Sequence, residues 1–156
     1  MSLVLGIDPG LERMGYGLVR REGSKLTPVA WGLFETPRIA TCDRIKLLYE
    51  QLCEVIAEHD PDAVAIEKLF FTKNQTTAMD VARASGVVLL AAAQKGLQVQ
   101  EYSPPQIKLS VVGNGAAEKK QIQFMVVRLL SLKETPKPDD VADALAIAIT
   151  HALHSR

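Results

Sequence analysis

Two apolar runs in this chain each stop at a carboxylate. Leu3-Val4-Leu5-Gly6-Ile7 ends on Asp8 with Pro9-Gly10 behind it, and Ala63-Val64-Ala65-Ile66 ends on Glu67. Short runs of branched aliphatics closed by turn formers read as strands. A strand that ends on an acid delivers that acid to one edge of its sheet. If the two strands are neighbours and parallel, Asp8 and Glu67 meet at a common carboxyl edge, where open α/β sheets hold their sites.

The rest of the chain limits the sheet that can surround them. Residues 3–8, 14–21 and 26–34 read as strands with short connections, an antiparallel meander. Thr41 or Asp43 is expected to cap a helix whose apolar positions Ile45, Leu48, Leu52, Val55 and Ile56 recur at helical spacing up to Pro61. After the strand at 63–67, a helix is expected over about 76–95, stopped by Gly96, then a strand over 97–102. A short helix opens at Pro104-Pro105, another spans about 116–132, and a last one runs over 139–154 with Asp139 as a natural N-cap. Hairpins first and alternation afterwards predict an α/β fold, a five-stranded mixed sheet flanked by helices on both faces. The 156 residues fit one domain, 1–156, with no internal repeat.

Asp140 and Asp143 stand three apart on the last helix, so they share a face. With Asp8 and Glu67 they make a set of oxygen donors suited to a hard divalent cation. Each acid also has an ordinary reading. Asp8 before Pro-Gly has the composition of a turn, and acids in a first helical turn are stabilised by the helix dipole. Glu67 and Asp143 resist that reading, because a carboxylate closing an apolar strand, or heading the apolar run 144–149, needs a partner.

Global charge argues neither for nor against a nucleic-acid partner, since eighteen basic residues balance eighteen acidic ones. Locally, Lys108, Lys119, Lys120, Arg128 and Lys133 face only Glu118 between residues 102 and 133. These lysines are either a solvated face or a phosphate contact. Phe70-Phe71 beside Lys73 suits either core packing or base stacking. The two cysteines, Cys42 and Cys53, are too few for a zinc cluster and are read as reduced and structural. His59, His151 and His154 lack ligand spacing and are read as non-catalytic. No secretory signal or membrane-spanning run is found, so a cytoplasmic location is expected.

Taken in order, Gly6-Ile7-Asp8-Pro9-Gly10, Ile66-Glu67-Lys68-Leu69-Phe70-Phe71, the segment 111–120 with Glu118-Lys119-Lys120, and the segment 140–151 with Asp140 and Asp143 closely resemble the bacterial RuvC Holliday-junction resolvases. The match covers nearly the whole chain. The resemblance implies an RNase H-like fold and a homodimer that resolves four-way DNA junctions by two symmetric nicks, leaving 5′-phosphate and 3′-hydroxyl ends. It implies Asp8, Glu67, Asp140 and Asp143 as catalytic metal ligands for two Mg²⁺ per subunit, with Mn²⁺ as a substitute. It further implies Lys119 as a catalytic cation, Phe70, Lys73, Lys108 and Lys119 as DNA-contacting residues, and the RuvA–RuvB branch-migration complex as a partner; Phe71 beside Phe70 and Lys120 beside Lys119 are expected to join the DNA contacts. Whether Asp139 or Asp140 ligates stays open, although the family's spacing favours Asp140.

The stripe Ala78, Val81, Ala82, Ser85, Val88, Leu89 and Ala92 offers a dimer face, or ordinary packing on the sheet. Two other functions compete. Actin-like and sugar-kinase ATPases also open on a strand ending in Gly-x-Asp, but need a second related domain; a non-catalytic junction binder would carry surplus buried charge.

Overall fold

The computed structural model describes residues 1–69 and 75–155. Five strands, β1 (Ser2–Asp8), β2 (Arg13–Glu22), β3 (Lys25–Glu35), β4 (Ala63–Glu67) and β5 (Gln98–Tyr102), form one sheet in the order β3-β2-β1-β4-β5. β1, β2 and β3 pair antiparallel, while β4 lies parallel to β1 and β5 parallel to β4. The mixed sheet expected from the sequence is the one observed. Ile7 pairs with Ile66, so Asp8 and Glu67 are the next residues on two adjacent parallel strands.

The helices are α1 (Thr41–His59), α2 (Gln75–Gln94), α3 (Pro104–Val112), α4 (Lys119–Leu130) and α5 (Asp139–His154). Side chains alternate along a strand, so β1 feeds two cores. Leu3, Leu5 and Ile7 pack with Leu48 and Leu52 of α1 and with Ala84, Val88 and Ala91 of α2. Val4 points the other way, into Leu145, Ala148 and Ile149 of α5, with Ile107 of α3 and Val126 of α4 behind them. Asp8 has the parity of Val4, and Glu67 that of Ala65, which lies in the same core as α5. Both acids therefore face the α5 layer.

Several helix starts differ from the sequence reading. Ala40 is the N-cap of α1, no side chain caps it, and Thr41 is already helical. Pro138 takes that place at α5 and leaves Asp139 inside the first turn. α4 begins at Lys119 because Asn114 first closes a turn, accepting the Ala117 N–H on its carbonyl and the Ala116 N–H on its side chain. Glu118 then opens the helix, its N–H donating to Gln121 Oε1 at 2.7 Å. Of the cysteines, Cys53 is half-buried but Cys42 is exposed; both are free. No helix among the described residues is long and apolar enough to cross a membrane.

Candidate active site

Three glycines decide how α5 meets the sheet. Gly6 and Gly17 pair across β1 and β2, and Gly15 pairs with Asp8. A Cβ at Gly6 would collide with the Ala144 carbonyl, one at Gly15 with the Asp140 carbonyl, and one at Gly17 with the Leu145 side chain. The missing side chains form a trench that lets the α5 backbone rest on the strands. Its first turns are thereby brought beside the end of β1, with Asp140 over β2 and Asp143 one turn further on.

The charges of the acids act on one another across a shared space. Burial lifts the Asp8 carboxyl to a pKa of about 8, with Asp143, Glu67 and Asp140 adding repulsion and Lys119 opposing them. Glu67 is raised by burial and by Asp143, against the pull of Lys108 and Lys119. Asp143 is raised by burial, with Lys119 pulling it down and Asp139 and Asp140 pushing it up. Four acids crowded this closely favour a bound proton or cation over full ionisation.

Protein cations meet part of that demand. Lys119 Nζ at the start of α4 lies 3.1 Å from Asp139 Oδ2 and 3.6 Å from Asp143 Oδ2. Burial lowers the Lys119 ammonium, but the bond to Asp139 and the charge of Asp143 outweigh it and its pKa rises. Arg13 Nη2 lies 3.4 Å from Asp140 Oδ2. With Asp140 turned to Arg13 and Asp143 to Lys119, no three His, Cys, Asp or Glu side chains among the described residues converge at ligand spacing. The side chains share a basin without forming a closed cage.

The expected residues distribute as follows. Glu67, Lys108, Lys119 and Asp143 line one cleft of about 300 Å³, floored by Ile107 and Ile147. Lys120 is exposed beside Lys119 and does not line it. Asp139 turns toward α4, accepting from Gln123 Nε2 at 3.3 Å as well as pairing with Lys119, whereas Asp140 pairs with Arg13 and adds its charge to the repulsion on Asp8. Phe70, Phe71 and Lys73 lie outside the described residues. The histidines stand apart from the acids; His151 Nδ1 shares a 2.8 Å hydrogen bond with the Tyr102 hydroxyl. Arg13 escapes the sequence reading. It opens β2, two residues before the Gly15 that pairs with Asp8, and that offset in register is the available signal.

A mixed sheet in this strand order, with carboxylates gathered at its parallel edge under a helix that starts there, defines an RNase H-like nuclease fold. A family model described as crossover junction endodeoxyribonuclease RuvC matches residues 4–151. The chain belongs to the RuvC family of crossover junction endodeoxyribonucleases. It is 53% identical over 151 residues to the family member from Alkaliphilus metalliredigens, covering 96% of this chain and 92% of that one. The protein from Desulfitobacterium hafniense is 54% identical over 151 residues with the same coverage. Among solved structures, T. thermophilus RuvC in complex with Holliday junction substrate superposes with a TM-score of 0.93 at 37% identity, covering 99% of this chain and 94% of that one. The chain is thus a nuclease of this family, which sets aside the ATPase and non-catalytic readings.

Proposed function

We propose that this enzyme resolves four-way DNA junctions as a homodimer, using two Mg²⁺ ions per subunit held by Asp8, Glu67, Asp140 and Asp143. The observation that carries the reading is the Asp8 carboxyl, half-buried at the sheet edge and pressed by three further acids. Hard oxygen donors in surplus over nearby cations fit Mg²⁺, and Mn²⁺ fits the same donors. When bound, the ions supply activation of the attacking water and neutralisation of the leaving 3′ oxygen.

The chain's own residues do the rest. Asp8 is central, coupled to each of the other three acids. Lys119 is the cation nearest the reacting phosphate, and its raised pKa keeps it charged for electrostatic stabilisation. Lys108 across the cleft holds the strand by its phosphates. Phe70 stacks on an unpaired base, with Phe71, Lys73 and Lys120 contributing to the DNA surface.

The dimer reading draws support from α2, though on a face rotated from the stripe that the sequence suggests. Ala78, Val88 and Ala92 are buried in their own chain, Val81 and Ser85 are half-buried, and only Ala82 and Leu89 of the set are exposed. The helix docks through Ala84, Val87, Val88 and Ala91, so the outward face is turned to Met79, Ala82, Gly86, Leu89 and Leu90. Met79 at 56%, Leu89 at 42% and Leu90 at 54% exposure leave this helix apolar on both sides. A helix apolar all round is one that buries both faces. A two-fold pairing there presents two equivalent sites to two equivalent strands, which yields paired nicks. A cytoplasmic setting and cooperation with the RuvA–RuvB complex complete the proposal on grounds of family.

A labelled four-way junction incubated with Mg²⁺ beside linear duplex tests it. Symmetric nicks in the junction alone are expected, lost in Asp8→Asn, Glu67→Gln and Asp143→Asn while junction binding persists, because phosphate contacts supply most of the affinity. Cutting at the wild-type rate by any of these variants overturns the assignment.

A further inference from the structure

A second cleft, of about 370 Å³, flanks the carboxylates on the side away from Lys108 and Lys119. The first cleft reaches the acids at Glu67 and Asp143, the second at Asp140. Gly10 and Arg13 form one wall, α2 at Thr77 and Asp80 the other, and Arg44 lies between them.

Arg44 is fixed in place. Its Nε donates to Thr36 Oγ1 at 2.9 Å, and that buried hydroxyl donates to the Leu11 carbonyl at 2.7 Å. The Thr36 N–H donates to the Glu12 carbonyl at 3.0 Å, so one threonine holds both the guanidinium and the loop that follows Asp8. Among the described residues no carboxylate lies within ion-pair distance of Arg44. Of the three acids bordering the cleft, Asp80 pairs with Arg83 at 3.1 Å and Asp140 with Arg13 at 3.4 Å, and Glu12 stands beyond ion-pair distance of Arg44. Only the Nε of Arg44 is engaged among the described residues, and an oriented guanidinium with its outer N–H groups open is preorganised for a phosphate oxygen.

We infer that this cleft seats a phosphate of the cleaved DNA strand adjacent to the scissile one, gripped by Arg44 and Arg13. The inference rests on the junction-nuclease reading and extends it. A strand crossing a basin of acids is repelled by them and needs cations before and after the crossing. Lys108 and Lys119 stand on one side, and Arg13 and Arg44 on the other. The two clefts together make a track through the site, with the carboxylates at its midpoint.

Junction binding by the full chain, measured by fluorescence anisotropy in Ca²⁺ over a salt series, tests the inference. Arg44→Gln and Arg13→Ala are each expected to weaken binding roughly tenfold whatever the junction sequence. Each is also expected to reduce the steepness of log K against log[salt] by about 0.7–0.9, the signature of one lost phosphate contact. Arg44→Lys, which keeps the charge, is expected to restore the slope. Should Arg44→Gln fail to fold, Arg13→Ala carries the test, since that side chain is half-exposed. Unchanged slopes in folded variants overturn the inference. So does a loss confined to affinity for Mn²⁺ titrated alone, which makes Arg13 a positioning residue for Asp140. Failure of the wild type to cut junctions in Mg²⁺ is a separate outcome, which overturns the nuclease reading whatever the slopes.

Discussion

The two faces of the sheet are packed by opposite means. On the α1/α2 side, bulky side chains fill the gap: Leu5, Ile7, Met14 and Leu18 meet Leu48 and Leu52, and Tyr16 stacks on Phe34 with ring centroids 4.6 Å apart. On the α5 side, Gly6 and Gly15 withdraw their side chains and let a helix backbone touch the strands, with Val4, Val19 and Ala65 packing beside them. The α5 side carries the four acids. Interdigitated side chains tolerate volume-conserving swaps by repacking, whereas backbone contact leaves nothing to repack. The contrast teaches where the molecule needs stability alone and where it needs fixed distances.

The strongest way to break this comparison is to fill the trench. Gly6→Ala puts a methyl against the Ala144 carbonyl and is expected to cost about 3 kcal/mol or more, because backbone must move to admit it. Cleavage should fall further than stability in whatever fraction still folds. A denaturant melt paired with activity per folded molecule reads both; wild-type values would show that α5 has room to shift.

Next in size is the cost of the acids themselves. Asp8 has a pKa of 3.8 when unperturbed and about 8 in the fold, so between those values the native state binds the proton more tightly than the unfolded chain. Metal-free protein should therefore lose stability as pH rises from about 4 to about 8, with the loss complete above that. Glu67 and Asp143, also raised, act in the same direction. Melting temperatures in EDTA across this window are expected to decline for the wild type and to decline less for Asp8→Asn. Added Mg²⁺ should reverse the decline, releasing protons as it binds.

The outer face of α2 offers a smaller perturbation to folding and a large one to assembly. Leu90→Asp replaces a side chain that its own chain leaves 54% exposed, so the monomer's stability should change by no more than about 0.5 kcal/mol. Sedimentation should nevertheless shift from a dimer to a species near 17.0 kDa, with paired nicking lost. A wild type that sediments as a monomer would break the dimer proposal. Smallest of all, Gly86→Ala meets no atom within 4 Å of the added Cβ. Where monomers prevail, it should stabilise α2 by about 0.5–1 kcal/mol, opposite in sign to the same change at Gly6.

Much of this is legible from sequence because the signals are local. An apolar run closed by an acid marks a strand end, helical spacing marks α1, and Pro136 and Pro138 mark the start of α5. Asp8 and Glu67 can be expected to meet once their strands are taken as parallel neighbours. The trench is not legible, because glycine in a strand can mean a bulge, a turn or a close approach, and only the pairing of Gly6 with Gly17 and of Asp8 with Gly15 tells which. The caps mislead for a related reason. Thr41 and Asp139 have the right side chains, but Ala40 and Pro138 hold the extended backbone before the first turn. The α2 stripe mixes residues of the buried and the exposed face, since a helix apolar on two sides does not reveal which side its own sheet will take.

Arg21 at the far end of β2 donates to the carbonyls of Ala152 and Ser155 and so clasps the tail of α5. With its head laid in the glycine trench, the helix behaves as a beam supported at both ends. A beam on one support can tilt and a clamped one resists; here, tilting would change the reach of Asp140 and Asp143 toward Asp8. The clasp lies outside both clefts, yet it sets the alignment of an instrument at the opposite end of the rod.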